Sequence, residues 1–243
     1  IGASPQRMLN SNQDAVGRFK RDMGTDKIYT LGGKELSPTD LSGIILHELK
    51  KVAEAEVGNI TSAVVTVPAN FTNEAREATL AAAKKVGLNV EHIINEPTAA
   101  AFYYAFKSGG NLSGTYAIYD LGGGTFDVTI LKIDGKDIEV LCSNGVSTLG
   151  GDDFDQRLVV LLRNKGELGP LDAAQERALL RCARSVKESL TTASEIEVKL
   201  DSIASGGKPV TVTRQQFNSE CADLVNRSLD ACRQCVADAG VSE

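Results

Sequence analysis

Two apolar, β-branched runs separated by a glycine turn constrain the fold of this chain more than any other feature. Tyr116–Leu121 and Phe126–Ile133 both have the composition of strands, and Gly122–Gly124 lie between them, so this segment predicts a hairpin. Glycine adopts positive φ readily and lets the backbone approach a ligand closely. Successive N–H groups in such a turn form a concave site that suits phosphate. Three glycines alone are more often a plain flexible turn than a ligand site.

The residues beside the glycines favour the phosphate interpretation. Asp120 and Asp127 flank the turn, and Thr125 adds a hydroxyl group. Two carboxylates would repel a bare phosphate, but they suit a phosphate that arrives with divalent or monovalent cations. The glycines lead into a strand and the sequence has no G-x-x-x-x-G-K-[ST] run, which excludes the P-loop and the dinucleotide fingerprint. The turn therefore predicts a nucleotide-phosphate site with metal chemistry.

Composition and charge limit the size class of the protein and the kinds of molecule that it can bind. The chain has 243 residues, 42% of them hydrophobic, which suits one large domain or two smaller lobes. Its net charge of −6, without a basic run, argues against nucleic acid as a partner. The apolar stretches are of strand length, so we expect no membrane span. The chain starts with Ile1 rather than methionine, so we expect it to be a fragment.

The cysteines indicate a reducing compartment. There are 5, an odd number without the spacing of a disulfide framework, so we expect a cytoplasmic location. Cys232 and Cys235 match C-x-x-C, but they lie in a helical pattern without a second ligand pair. We interpret them as incidental helix cysteines, with a redox or zinc role as the alternative.

Helical and strand patterns alternate along the chain, which predicts an α/β fold. Ser37 and Pro38 mark a helix start, because serine caps helices and proline suits the first turn. Gly32 and Gly33 predict a turn, and Gly109–Gly114 is a candidate hinge. Further strands are predicted over Ser62–Val67, Val90–Ile94, Ile138–Ser143, Glu195–Leu200 and Val210–Thr213. A short helical stretch is predicted around Asp14–Lys20. Further helices are predicted over Pro97–Lys107, Asp152–Leu162, Asp172–Leu190 and Arg214–Ala239, the last in one or two pieces.

Four strings in this order resemble those of one protein family. They are Val65–Ala69 (VTVPA), Ile94–Ala101 (INEPTAAA), Asp120–Asp127 (DLGGGTFD) and Leu149–Asp155 (LGGDDFD). All four are similar to strings of the Hsp70 chaperones, which belong to the actin-like ATPase superfamily. The resemblance implies an α/β, two-lobed actin-like ATPase (ribonuclease H-like) fold that is incomplete at both ends.

The resemblance also implies how the chain is divided and what it does. Residues 1–108 are similar to part of lobe I, residues 109–151 to the phosphate-binding β-meander of lobe II, and residues 152–243 to the remaining helical and β subdomain of lobe II. The implied function is to bind and hydrolyse ATP and to couple the nucleotide state to a peptide-binding domain absent from this chain. The implied partners are peptide clients, a J-domain co-chaperone and a nucleotide exchange factor, in a stress response. The alternatives are a non-hydrolysing regulator or co-chaperone, and an actin-like or sugar-kinase-like ATPase.

The resemblance assigns roles to four residues around the turn. Asp120 is similar to the acid that reaches Mg²⁺ through water, and Asp127 to the acid that holds a monovalent cation, for which K⁺ is the candidate. Thr125 is implied near the γ-phosphate and the attacking water. Glu96 precedes Pro97 at a helix start, where an acid also complements the helix dipole. The family string implies that Glu96 orders water and metal.

The nucleotide contacts are implied by position as well. The phosphate cradle is implied at Gly122, Gly123, Gly124 and Thr125, and the ribose and phosphate loop at Gly150 and Gly151. The adenosine contacts are implied at Arg184, Lys187, Glu188 and Thr191. Arg184 stands where the family has a glutamate that contacts the ribose, so we expect adenine affinity to be reduced.

Gln6 is the sharpest departure from the family pattern. It aligns with a catalytic lysine that precedes an arginine, here Arg7; a shift of one or two residues in this alignment is the alternative. An amide can hydrogen-bond a phosphate, but it cannot neutralise transition-state charge, a contribution worth about 2.7–4 kcal/mol. We therefore expect slow or absent hydrolysis, and we expect Gln6→Lys to raise turnover.

Overall fold

The computed structural model describes residues 15–109, 112–135 and 137–241, in which helices and strands alternate. A 3-10 turn at Phe19–Asp22 comes first. The helices are α1 (Pro38–Val57), α2 (Asn73–Lys85), α3 (Glu96–Lys107), α4 (Gly151–Lys165), α5 (Ala173–Ser189), α6 (Arg214–Glu220) and α7 (Ala222–Asp238). The strands are β1 (Tyr29–Leu31), β2 (Lys34–Leu36), β3 (Ser62–Val67), β4 (Asn89–Asn95), β5 (Ser113–Leu121), β6 (Phe126–Asp134), β7 (Asp137–Val146), β8 (Glu195–Val198) and β9 (Val210–Thr213). The α/β class expected from the sequence is confirmed.

The antiparallel sheet β5-β6-β7 carries the glycine turn between its first two strands. Its middle strand, β6, is almost entirely buried. Phe126, Val128 and Ile130 pack in one core with α7 residues, whereas Leu131 and Ile133 pack in another with α3 residues. Because successive strand residues point to opposite faces, the alternation along β6 places Asp127 on the α3 face.

The α7 side of this sheet contains a group of cysteine thiols. Cys142 of β7 and Cys232 and Cys235 of α7 belong to or pack against the same apolar core as Phe126. Burial, together with the neighbouring Cys142 thiol, raises the pKa of Cys235 to about 12. The predicted helical setting of Cys232 and Cys235 is confirmed. Within the described ranges, no three histidine, cysteine or acidic side chains form a group that could hold a metal ion.

A third core lies between α4, α5 and the hairpin β8-β9. Leu158 and Leu162 of α4, Leu179 of α5 and Val212 of β9 are fully buried in it. This core fixes the direction of α4, whose first residues, Gly151 and those after it, reach back to the glycine turn.

The predicted start of α1 is confirmed by a capping box. The Ser37 hydroxyl accepts a hydrogen bond from the Asp40 amide at 3.1 Å, and the Asp40 carboxylate accepts one from the Ser37 amide at 3.0 Å. Asp40 also pairs with Lys85 at the end of α2. The bonds from Lys85, and then from Ser37, lower the pKa of Asp40 to about 2. The box therefore both starts α1 and joins it to α2.

The sequence patterns missed one small hairpin near the start of the described chain. Strands β1 and β2 pair antiparallel around Gly32 and Gly33, both at positive φ, where the sequence indicated a turn only. Strands of three residues carry too little alternation to be recognised. Among the described helices, none is long and apolar enough to cross a membrane.

Candidate functional site

The glycine turn is held against the start of α4 by backbone contacts. The Gly151 amide donates to the Gly122 carbonyl at 2.9 Å, and the Asp152 amide donates to the Gly123 carbonyl at 2.8 Å. Gly150 is buried between them; a Cβ there would lie 2.6 Å from the Gly123 carbonyl carbon and from the Gly124 amide nitrogen. The absence of side chains therefore lets two predicted phosphate segments meet backbone to backbone.

The four predicted residues around this turn occupy one region. Asp120 and Asp127 are directly opposite each other in the register of β5 and β6. Glu96 begins α3, the helix on the same face of the sheet as Asp127. Thr125 closes the turn, since its carbonyl accepts from the Gly122 amide at 2.9 Å. The structure thus brings together residues that are far apart in the sequence.

Asp127 is the most perturbed group in this region. It is only 3% exposed. Burial first, and then the charges of Glu96 and Asp120, raise its pKa to about 6, against the opposing effects of the Asn70 amide and Lys20. Its Oδ1 atom is buried without a hydrogen-bond partner among the described residues. A buried carboxylate oxygen without a donor is an unsatisfied acceptor that a cation would complete.

Lys20 is a component of the site that the sequence patterns missed. Its Nζ atom lies 2.8 Å from Glu96 Oε1, and its charge acts on Asp127. The lysine-before-arginine order sought at Gln6 occurs here, at Lys20-Arg21, and this dipeptide was the available signal. Gln6 itself lies outside the described residues, so its role stays a prediction.

Two arginines on either side of Lys20 pair with the start of α4. Arg18 Nε lies 2.8 Å from Asp152 Oδ2, and its Nη2 donates to Asp152 Oδ1 at 3.0 Å. Arg21 Nη2 lies 3.0 Å from Asp153 Oδ2. A Cβ on Gly124 would meet Arg21 Nε at 2.7 Å, so the guanidinium of Arg21 lies directly over the glycine turn.

The predicted adenosine contacts separate into two groups. Lys187 and Thr191 line a cavity of about 420 Å³ next to the turn, and its other lining residues are Leu121, Gly151, Phe154, Leu190, Arg214, Phe217 and Asn218. Arg184 and Glu188 do not belong to this lining. They pair with each other at 3.3 Å, and their side chains are 50% and 65% exposed.

Lys187 and Arg214 set the polar parts of that cavity. Lys187 Nζ lies 2.6 Å from Asp155 Oδ1 and donates to the Gly151 carbonyl at 3.0 Å. Arg214, at the start of α6, donates to the carbonyls of Leu190 and Ala193, each at 2.8 Å. No motif marked Arg214 in advance, because its place in the cavity depends on how α6 meets the end of α5.

Comparison with known proteins gives consistent matches over most of the chain. The family described as "Hsp70 protein" matches residues 15–243. A similar relative is the chaperone protein HscA homolog of Ralstonia pickettii (strain 12J), which is 43% identical over 222 residues. That alignment covers 90% of this chain and 35% of the relative. The chain therefore spans about a third of the length of the curated relative it matches.

Proposed function

This chain belongs to the Hsp70 family, and on that premise we propose that it is the central part of a nucleotide-binding domain that binds ATP with Mg²⁺ and hydrolyses it. One observation carries the proposal: Asp127, a buried carboxylate with an unpartnered oxygen, lies beside the glycine turn among the charges of Glu96, Asp120 and Lys20. Buried acids with raised pKa values are concentrated at functional sites.

The residues present fit a magnesium–phosphate complex better than a metal alone. In the described part of the chain no three acidic, histidine or cysteine side chains could hold a metal by themselves. Mg²⁺ keeps several waters and is usually held by one or two carboxylates and substrate phosphates. Asp120 would hold Mg²⁺ through water, and Asp127 would face a monovalent cation, K⁺, through its free oxygen. Bound Mg²⁺ would neutralise charge on the phosphate oxygens.

The protein groups would then act by position and charge. The backbone of Gly122–Gly124 binds the phosphates, and Glu96 with the Thr125 hydroxyl orients the water that attacks the γ-phosphate. Lys20 supplies the positive charge that the sequence comparison sought at Gln6. Water attacks directly, without a covalent enzyme intermediate, as in other nucleotide hydrolases that rely on positioning and electrostatics.

The cavity beside the turn is the proposed adenosine site. Lys187 and Thr191 line it, and Gly150 and Gly151 lie between it and the glycine turn. The exposed pair Arg184–Glu188 would contribute less, which agrees with reduced adenine affinity. We assign residues 1–108 to one lobe, with residues 109–151 and 152–243 in the other, so that the nucleotide would bridge them and change their relative angle.

The activity of the whole protein follows from this assignment. The nucleotide state would control a peptide-binding domain outside the chain, with extended peptides as clients and with J-domain and exchange-factor partners. The alignment covers 35% of the relative, and we propose that residues outside this chain complete the nucleotide site. This chain alone would then bind ATP poorly, and the intact protein would bind it well.

Single-turnover hydrolysis of radiolabelled ATP by the intact protein tests the proposal. We expect ATP to bind and ADP to form slowly, and Asp127→Ala to weaken MgATP binding. Tight binding without ADP would instead indicate the non-hydrolysing regulator, and no binding by the intact protein would refute the proposal altogether. Gln6→Lys tests which of the two positions supplies the catalytic positive charge. Because Lys20 already lies at Glu96, we now expect this substitution to leave turnover unchanged, in place of the increase expected from the alignment at Gln6. A sharp rise in turnover would instead indicate that position 6 is the catalytic lysine position.

A further inference from the structure

The short segment that carries Lys20 is anchored on both sides of the lysine. On one side, Met23 is buried and the Ser42 hydroxyl of α1 lies 3.2 Å from its sulfur. On the other side, Arg18 pairs with Asp152 in the first turn of α4. Between these anchors, Lys20 extends to Glu96 at the start of α3. Three separate helices thus define where the lysine amine lies.

Arg18 makes a two-point contact with Asp152. Both Nε and Nη2 engage the two oxygens of Asp152, at 2.8 and 3.0 Å. Such bidentate pairs are more directional than ordinary surface ion pairs. Arg18 also has φ 63°, one of two non-glycine residues with positive φ in the described chain, a conformation that arginine adopts rarely. The surrounding contacts must therefore hold this backbone in place.

Arg18 differs from Arg21 in where it lies. Arg21 covers Gly124 and thus belongs to the proposed phosphate site. Arg18 contacts Asp152 instead, and its side chain is 51% exposed, so its removal takes no group away from the turn. Its effect must pass through the segment that it tethers.

We propose that Arg18 is a positioning residue: its bidentate pair with Asp152 ties the Lys20 segment to α4 and so holds the Lys20 amine at Glu96. This inference rests on the proposed ATPase function for its catalytic consequence only. The tether itself acts in the protein without nucleotide. If α4 moves relative to α3, this pair must break or the segment must move with α4.

Arg18→Gly in the intact protein is the test, because glycine accepts positive φ without strain and removes the whole side chain, including the guanidinium that pairs with Asp152. We expect thermal stability to be kept while Lys20, no longer fixed at Glu96, reacts about fivefold faster with acetic anhydride in the absence of nucleotide. Single-turnover hydrolysis should fall about 10- to 100-fold, the cost of a misplaced catalytic group, with ATP affinity nearly unchanged. Arg18→Lys should restore part of both.

Arg233→Ala is the matched control. Arg233 pairs with Asp230 at 2.8 Å on the exposed face of α7, and its loss should change neither Lys20 labelling nor turnover. Unchanged labelling of Lys20 in Arg18→Gly would overturn the tether, whatever the ATPase result. If the wild-type protein shows no ATPase activity but Lys20 is still labelled faster in Arg18→Gly, the proposed function is refuted and the tether is supported. Faster labelling with unchanged turnover would overturn the catalytic consequence.

Discussion

Gly150→Ala is the substitution whose effect the structure defines most sharply. The new methyl group would lie 2.6 Å from the Gly123 carbonyl carbon and the Gly124 amide nitrogen, closer than carbon atoms pack. Both neighbours are backbone, so neither can rotate away. The start of α4 and the glycine turn must therefore separate.

The cost follows from the contacts that this separation strains. Overpacking a tight site costs about 1–3 kcal/mol. The two bonds that join the segments, Gly151 amide to Gly122 carbonyl and Asp152 amide to Gly123 carbonyl, contribute about 0.5–1.5 kcal/mol each. Alanine recovers at most about 1 kcal/mol by restricting the unfolded chain. We expect a net destabilisation of about 1–6 kcal/mol, centred at about 3 kcal/mol, or a fall in Tm of roughly 6–12 °C at the centre for a domain of this size.

Thermal unfolding followed by circular dichroism checks this value. Gly169→Ala is the matched control, since a Cβ there meets nothing within 4 Å, and its Tm should change by no more than about 2–4 °C, as expected for up to about 1 kcal/mol. A Cβ on Gly123 also meets nothing within 4 Å. Gly123→Ala should therefore keep the wild-type Tm, but it should weaken nucleotide binding because Gly123 belongs to the proposed phosphate site. If Gly150→Ala unfolds at the wild-type temperature, the two segments are not in direct backbone contact and the geometry of the site is refuted.

Three further predictions concern charged groups. Lys20→Ala should lower single-turnover hydrolysis about 10²–10³-fold, and a smaller change than tenfold would contradict its role. Asp40→Asn should destabilise the protein above pH 4 but progressively less toward pH 2: the folded pKa of about 2 lies below the ordinary 3.8, so this stabilisation is lost as pH falls; urea unfolding at several pH values measures it. Lys187→Ala should cost about 3–5 kcal/mol by leaving Asp155, 2% exposed, unpaired. Lys208→Ala, from an exposed pair, should cost less than about 1 kcal/mol in the same urea titration, and equal costs would contradict the argument.

Local sequence signals predicted the elements well where capping and alternation were strong. The capping residue Ser37, the strand alternation before Leu121 and the glycine turn each gave an element at the expected place. The helical stretch expected around residues 14–20 was less accurate, since the structure has a 3-10 turn at Phe19–Asp22. Single turns depend on tertiary contacts rather than on periodicity.

The sequence named candidate site residues one by one, but it did not predict how they are arranged. Family strings identified Glu96, Asp120 and Asp127, yet only the packing of α3 on the sheet explains why their charges act on one another. Lys20 and Arg214 were missed because each contacts a residue that is distant in the sequence: Lys20 pairs with Glu96, and Arg214 donates to the Leu190 carbonyl. Contacts between residues that are distant in the sequence produce no helix or strand periodicity by which they could be predicted.

The reactivity of the Cys235 thiol reports local opening of the structure around it. It is 0% exposed between α7 and β6, and its pKa of about 12 keeps it protonated at neutral pH. An alkylating reagent can therefore modify it only when α7 leaves the sheet. The alkylation rate of Cys235, with and without ATP, would measure how much bound nucleotide reduces the separation of α7 from the sheet that carries the glycine turn. The measurement needs no introduced probe.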